Sequence, residues 1–133
     1  MKKNQLTFLV ILMYFTLTSN SLFAQTSMAH TLAILDHGSY IRPNTEFVQT
    51  YERVMNQLDR KFSETKQQIG DMTVKVQNML EEDRIFQTNL SIMQAINSIE
   101  RPTRTYNVYV AYYLTYRQSG YNHVTAARAL NNL

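Results

Sequence analysis

No cysteine occurs in this 133-residue chain. That excludes a disulfide framework, a thiolate nucleophile and a thiolate metal site. Glycine is scarce, with three residues, and none of them forms a phosphate-cradling loop. No G-x-S-x-G elbow and no H-E-x-x-H pair is present. The chain therefore reads as a non-enzyme without catalytic residues, cofactor or metal. His30, Asp36 and His37 lie close in sequence, but their spacing matches no strong ligand pattern and reads as loop beside an element end.

The remaining absences concern charge and breakers. The formal net charge is +3 and the isoelectric point about 9.2. Lys2 and Lys3 supply much of it. Beyond residue 24 the chain keeps eleven of the thirteen Lys+Arg and all ten Asp+Glu, a net of +1. Such a balance does not point to nucleic acid. Only two prolines occur, Pro43 and Pro102, so the long stretch between them is free to be helical.

The first 24 residues have the layout of a secretory signal peptide. Lys2 and Lys3 form a positive start, Leu6 to Leu17 an apolar run broken by Thr7 and Thr16, and Ser19 to Ala24 a polar-to-small end. Cleavage after Ala24 would leave Gln25 as the new terminus, although Leu22 is larger than usual at the −3 position. The alternative is a retained anchor, for which a run of twelve residues is short against the ~20 of a membrane span. The short lysine-led start reads as bacterial. The expectation is an exported, periplasmic chain with no transmembrane segment after cleavage, and residues 25–133 as one domain.

Thr31 to Asp36 is a short apolar run ended by a polar residue and followed by His37-Gly38-Ser39. It reads as a buried strand, with a helical turn the alternative. Asn44 or Thr45 can cap a helix opening at Glu46. Beyond it, alternating steps of four and three from Tyr51 visit fourteen positions up to Asn97, eleven of them apolar. This is a coiled-coil seam that wants a partner helix. Asp83, a charge inside the seam, marks a frayed or register-setting spot, and Glu81-Glu82 a solvated face. Gly70-Asp71 sits mid-seam. A hairpin with its tip there is favoured over one continuous helix, since glycine ends helices readily.

Tyr106 to Tyr116 carries an apolar residue at every even position and is rich in Tyr, Val and Thr, which reads as one or two strands. A helical stripe of Tyr109, Tyr112, Tyr113 and Tyr116 coexists with that alternation. Arg117 to Gly120 reads as a loop, and Val124 to Leu133 as a short closing helix flanked by Asn122 or His123.

Taken in order, these anchors resemble the Skp (OmpH-like) family of periplasmic chaperones. His30 to Asp36 resembles the opening strand, Ile92 to Ile99 the end of the return helix, Tyr106 to Val110 and Leu114 to Tyr116 the strands, and His123 to Leu130 the closing helix. The resemblance implies an α+β, mostly helical fold. A small β body (25–43 and 102–133) would carry coiled-coil arms (44–101) with a tip near 70–71. Ile34, Val108, Val110 and Tyr112 would pack the body and join subunits into a homo-oligomer, by family precedent a trimer. The implied function is an ATP-independent holdase for unfolded outer-membrane or envelope proteins, with no client-binding residue assigned. The sequence departs from the family in its short arms, its near-neutral mature charge and His123 where an acidic cap is expected. The alternative is a structural or assembly subunit of a bacterial envelope or secretion machine of the conjugation type.

Overall fold

The computed structural model describes residues 26–133, so the signal-peptide reading lies outside the described residues. Six α-helices account for the described residues: α1 (Met28–His37), α2 (Glu46–Lys61), α3 (Lys66–Glu82), α4 (Asn89–Asn97), α5 (Tyr106–Gln118) and α6 (His123–Leu130). No strand occurs among the described residues. The expected α+β fold with a β body is therefore corrected to an all-helical one. Both segments read as strands, 31–36 and 106–116, lie within helices α1 and α5.

Each helix begins at a short polar side chain. Ser27, Thr45, Thr65, Thr88, Thr105 and Asn122 stand at the six N-caps in extended backbone, and each accepts from the N–H three residues on. Thr65 and Gln68 satisfy each other in a full capping box. These caps use donors that the first turn leaves without an intrahelical partner, worth about 1 kcal/mol each. Three helices end in the left-handed region, at Gly38 (φ 80°), Arg84 (φ 60°) and Gly120 (φ 96°). Glycine adopts that conformation at little cost, and Arg84 does not.

The seam of the sequence is real but serves the chain's own interior. Tyr51, Met55, Leu58, Phe62, Ile69 and Val76 are all buried. The helix does not run through, and it does not turn at Gly70. It breaks at 62–65, where Phe62 ends α2 and Thr65 caps α3, and again at 83–88. Gly70 is buried inside α3 against Met28 of α1. The hairpin arms and their tip at 70–71 are thus replaced by a packed bundle. Glycine there provides room for a neighbouring helix rather than a turn.

Short α4 packs against all the other helices. Its Ile92, Met93 and Ile96 are fully buried. Both of its ends are held electrostatically. Asp36 accepts from the N–H groups of Asn89 and Leu90 at 3.0 and 3.1 Å. Lys61 donates to the carbonyls of Asn97 and, at 3.1 Å, Ile99. An anion at the N-terminus and a cation at the C-terminus both complement the helix dipole. Glu64 repeats the device on α5, accepting from Asn107 N–H at 3.2 Å.

Successive helices reverse direction, which sorts the connections into two ends. One end gathers segments 38–45, 83–88 and 119–122. Contacts tie them together: His37 to Phe47 (ring centroids 5.6 Å), Asp36 to Asn89, Gln118 to Asp83 (2.7 Å) and Arg117 to Gln87 (2.6 Å). The opposite end holds 62–65, 98–105 and the start of α1. The last turn of α6 lies there too, beside Ile99.

Candidate functional site

Large apolar side chains that remain exposed are not scattered over this bundle. Phe86 (78 % exposed) and Tyr40 (62 %) project from two of the connections at the first end, and Tyr121 from the third. Leu35 in the last turn of α1, Phe47 in the first turn of α2 and Val124 in the first turn of α6 border them. Met79 near the end of α3 and Tyr112 on α5 extend the set. Single exposed apolar residues are unremarkable, but a set concentrated on one end is a candidate interaction surface. Six of its eight side chains, the five aromatic residues and Met79, are of types enriched at protein interfaces. Arg42, Arg84, Glu46, Glu81 and Glu82, all exposed, give that end a rim of both signs.

Several rings are already ordered for contact. Tyr116 and Tyr121 stack at 5.4 Å with planes 8° apart, and Tyr112 leans on Tyr116 at 6.1 Å. Phe47 is wedged between His37 and Tyr51, the second at 5.2 Å. A ring held by neighbours loses less rotamer freedom on binding.

Two polar clusters underpin this end. In the first, both oxygens of Asp36 are occupied. Oδ1 accepts from the backbone N–H and the side-chain amide of Asn89, Oδ2 from Leu90 N–H and the Tyr51 hydroxyl at 2.7 Å. Burial, with the Asp36 hydrogen bond and charge added, pushes the Tyr51 phenol far above its ordinary value. In the second, Arg117 donates to Gln87 and, at 3.1 Å, to the Tyr113 hydroxyl, which meets His123 Nδ1 at 2.8 Å. Burial raises the Tyr113 phenol, partly offset by the Arg117 charge. Burial lowers His123, and Arg117 lowers it further.

The residues singled out in the sequence fare unevenly. Val110 is in the core, Val108 and Ile34 are half-buried, and Tyr112 is 42 % exposed. Helices α1 and α5 do not pack together, so Ile34 and the three α5 residues form no common patch. His30, Asp36 and His37 turn to separate partners: His30 donates from Nε2 to the Ile41 carbonyl at 2.7 Å and His37 bonds Ser39. No group of three metal-ligating side chains occurs among the described residues. Sequence reasoning placed Phe86 in the seam and passed over Tyr40. The signal for Tyr40 was a large apolar residue inside a segment of turn-formers, and 83–88 carried no comparable signal for Phe86.

At the opposite end lies an open cavity of about 530 Å³ lined by Glu100, Arg101, Thr103, Tyr109 and Asn131 among others. Tyr109 is engaged there by its own chain, accepting from Thr103 N–H at 2.9 Å. Among the described residues, no helix is long and apolar enough to cross a membrane. The chain matches no protein-family model, no curated protein and no solved structure.

Proposed function

We propose that this protein is a non-catalytic assembly subunit of a bacterial envelope or secretion machine, docking onto another protein component through its aromatic end. The observation that carries this reading is the gathering of four of the five exposed rings, Tyr40, Phe47, Phe86 and Tyr121, at one end of the bundle, with Tyr112 on α5 the fifth. The holdase reading leaned on projecting arms with a free seam and on a sheet body that joins subunits. Here the seam is spent inside one chain, so the assembly reading has the better support.

The test is a photo-crosslinking amino acid placed at position 86 and, as control, at Arg101 on the opposite end, in cells that export the protein. One defined envelope protein should be captured from position 86 only, and Tyr40→Ser with Phe47→Ser should abolish the capture. In a parallel assay, the purified chain should leave the aggregation of an unfolded outer-membrane barrel protein unchanged. Equal capture from both ends, or strong suppression of aggregation, would reverse the proposal.

A further inference from the structure

We propose that the corner where α5 meets α6 is an acid-released latch, holding one edge of the aromatic end in place at neutral pH and freeing it on acidification. The functional meaning of this device rests on the docking reading above. Its structural content stands apart from it.

The groups in the corner favour one set of hydrogen-bond directions. Arg117 carries only donors. It gives one N–H to Gln87 Oε1 at 2.6 Å and one to the Tyr113 oxygen at 3.1 Å. The Tyr113 hydroxyl proton is then directed to His123 Nδ1 at 2.8 Å. In this arrangement that nitrogen presents its lone pair, and His123 is neutral with its proton on Nε2. The chain of donors runs Arg117 to Tyr113 to His123, and it terminates on the imidazole.

Protonation of Nδ1 removes the terminal acceptor. Two cationic donors would then face one phenol oxygen, and the phenol proton would have no destination. The charge environment offers no relief. Helix α6 packs against α5 and α4. From α5 come Tyr113 and Arg117. Helix α4 (Asn89–Asn97) bears no titratable side chain, and the connection before it contributes the neutral Gln87. Among the described residues, no carboxylate hydrogen-bonds to the Arg117 side chain, and none partners its buried Nε. His123 is moreover the first residue of α6, where the helix dipole disfavours a cation. Burial and the Arg117 charge hold the imidazole below its ordinary value of 6.5.

What the latch controls follows from its neighbours. Tyr121, stacked on Tyr116, and exposed Val124 flank His123 within three residues. Helix α6 has eight residues and only Ala126 and Leu130 fully inside. Losing the His123 contact therefore loosens its first turn, and with it the Tyr116–Tyr121 stack.

The experiment uses the purified protein without any partner. It is titrated from about pH 8 to about pH 4.5, a window that spans ordinary histidine behaviour. The His123 imidazole is followed by NMR, and the tyrosines by near-ultraviolet circular dichroism. The expected result is a His123 midpoint below 6.5 with a tyrosine transition in step. Arg117→Gln should move that midpoint upward, and His123→Gln, which keeps an acceptor, should abolish the tyrosine transition. A His123 midpoint at or above 6.5, or an unchanged tyrosine transition in His123→Gln, overturns the latch. If His123→Gln fails to fold, the midpoint shift in Arg117→Gln decides alone. Because no partner is present, these outcomes are independent of the crosslinking result at neutral pH.

Discussion

Asp36 and Asn89, 53 residues apart, are joined twice by one carboxylate oxygen, which accepts the backbone N–H at 3.0 Å and the side-chain amide at 2.8 Å. The pair closes the N-terminus of the helix on which all others pack. The second oxygen adds Leu90 N–H and the Tyr51 hydroxyl. Charged acceptors in such bonds contribute about 1.5–3 kcal/mol, and the donors they leave behind are costly when buried. Asp36→Ala should therefore cost about 3 kcal/mol in urea denaturation. Tyr51→Phe, which removes one of four bonds, should cost about 1 kcal/mol. A cost for Asp36→Ala no larger than for Tyr51→Phe would show that α4 is held by packing alone.

How much of this was legible in the sequence depends on which signal ruled locally. The proline-free stretch from Glu46 onward gave helix correctly, and its apolar seam identified core residues such as Tyr51, Leu58 and Ile69. The unbroken heptad phase hid the two breaks, because Thr65 and Thr88 are ordinary polar residues until their capping role is considered. In α5 two periods coexisted. The even positions of 106–116 are all apolar, yet the buried set is Tyr106, Tyr109, Val110 and Tyr113. That is helical spacing, opened by the Thr105 cap. Strand propensity of tyrosine and valine reflects packing more than backbone preference, and here the packing partner was a helix face. The aromatic end was the least legible feature. It depends on which helix ends meet, and that is set by contacts such as Asp36–Asn89 that no local pattern announces.

Arg84 is the one residue other than glycine with positive φ among the described residues. The turn it completes is otherwise well bonded, with Arg84 N–H to the Glu81 carbonyl at 2.9 Å and Ile85 N–H to Leu80 at 2.8 Å. The left-handed conformation costs a residue with a Cβ about 1–2 kcal/mol. Arg84→Gly should thus raise stability by about 1 kcal/mol, read as a higher melting temperature. An unchanged or lower melting temperature would mean that the arginine side chain itself holds the loop.

Alkaline pH should find the buried phenols. Burial, reinforced by the hydrogen bond and charge of Asp36, raises Tyr51. Burial also raises Tyr106, with the Thr73 hydrogen bond opposing and the Glu64 charge adding. A folded value above the unfolded one of 10.0 means that the neutral form is the one the fold holds. The stability these groups contribute is complete below pH 10 and declines as pH rises further. Absorbance titration should show a share of tyrosinate forming only as helical circular dichroism is lost. Replacing Tyr51 and Tyr106 together by Phe should remove that share. Full tyrosine ionisation with the helices intact would contradict the assignment.

Gly70 carries a prediction opposite to that of a free helical glycine, and for a different reason from that of a turn glycine. Alanine in a helix interior is better than glycine by about 1 kcal/mol, and on that ground Gly70→Ala should stabilise α3. A Cβ built there, however, would stand 2.2 Å from Met28 Sδ and 2.3 Å from its Cγ. Something must move. Met28 is the first residue of α1 and only half-buried, so its thioether can swing away, at the expense of its contact with α3. Crowding of this kind costs about 1–3 kcal/mol, enough to outweigh the gain in propensity. Gly70→Ala alone should therefore lower stability by about 1 kcal/mol. In a Met28→Ala background the obstacle is gone, and the same substitution should raise stability by about 1 kcal/mol. The sign reversal, measured by urea denaturation of all four chains, is the signature of a close approach between α1 and α3. An equal effect of Gly70→Ala in both backgrounds would place Met28 away from Gly70 in solution.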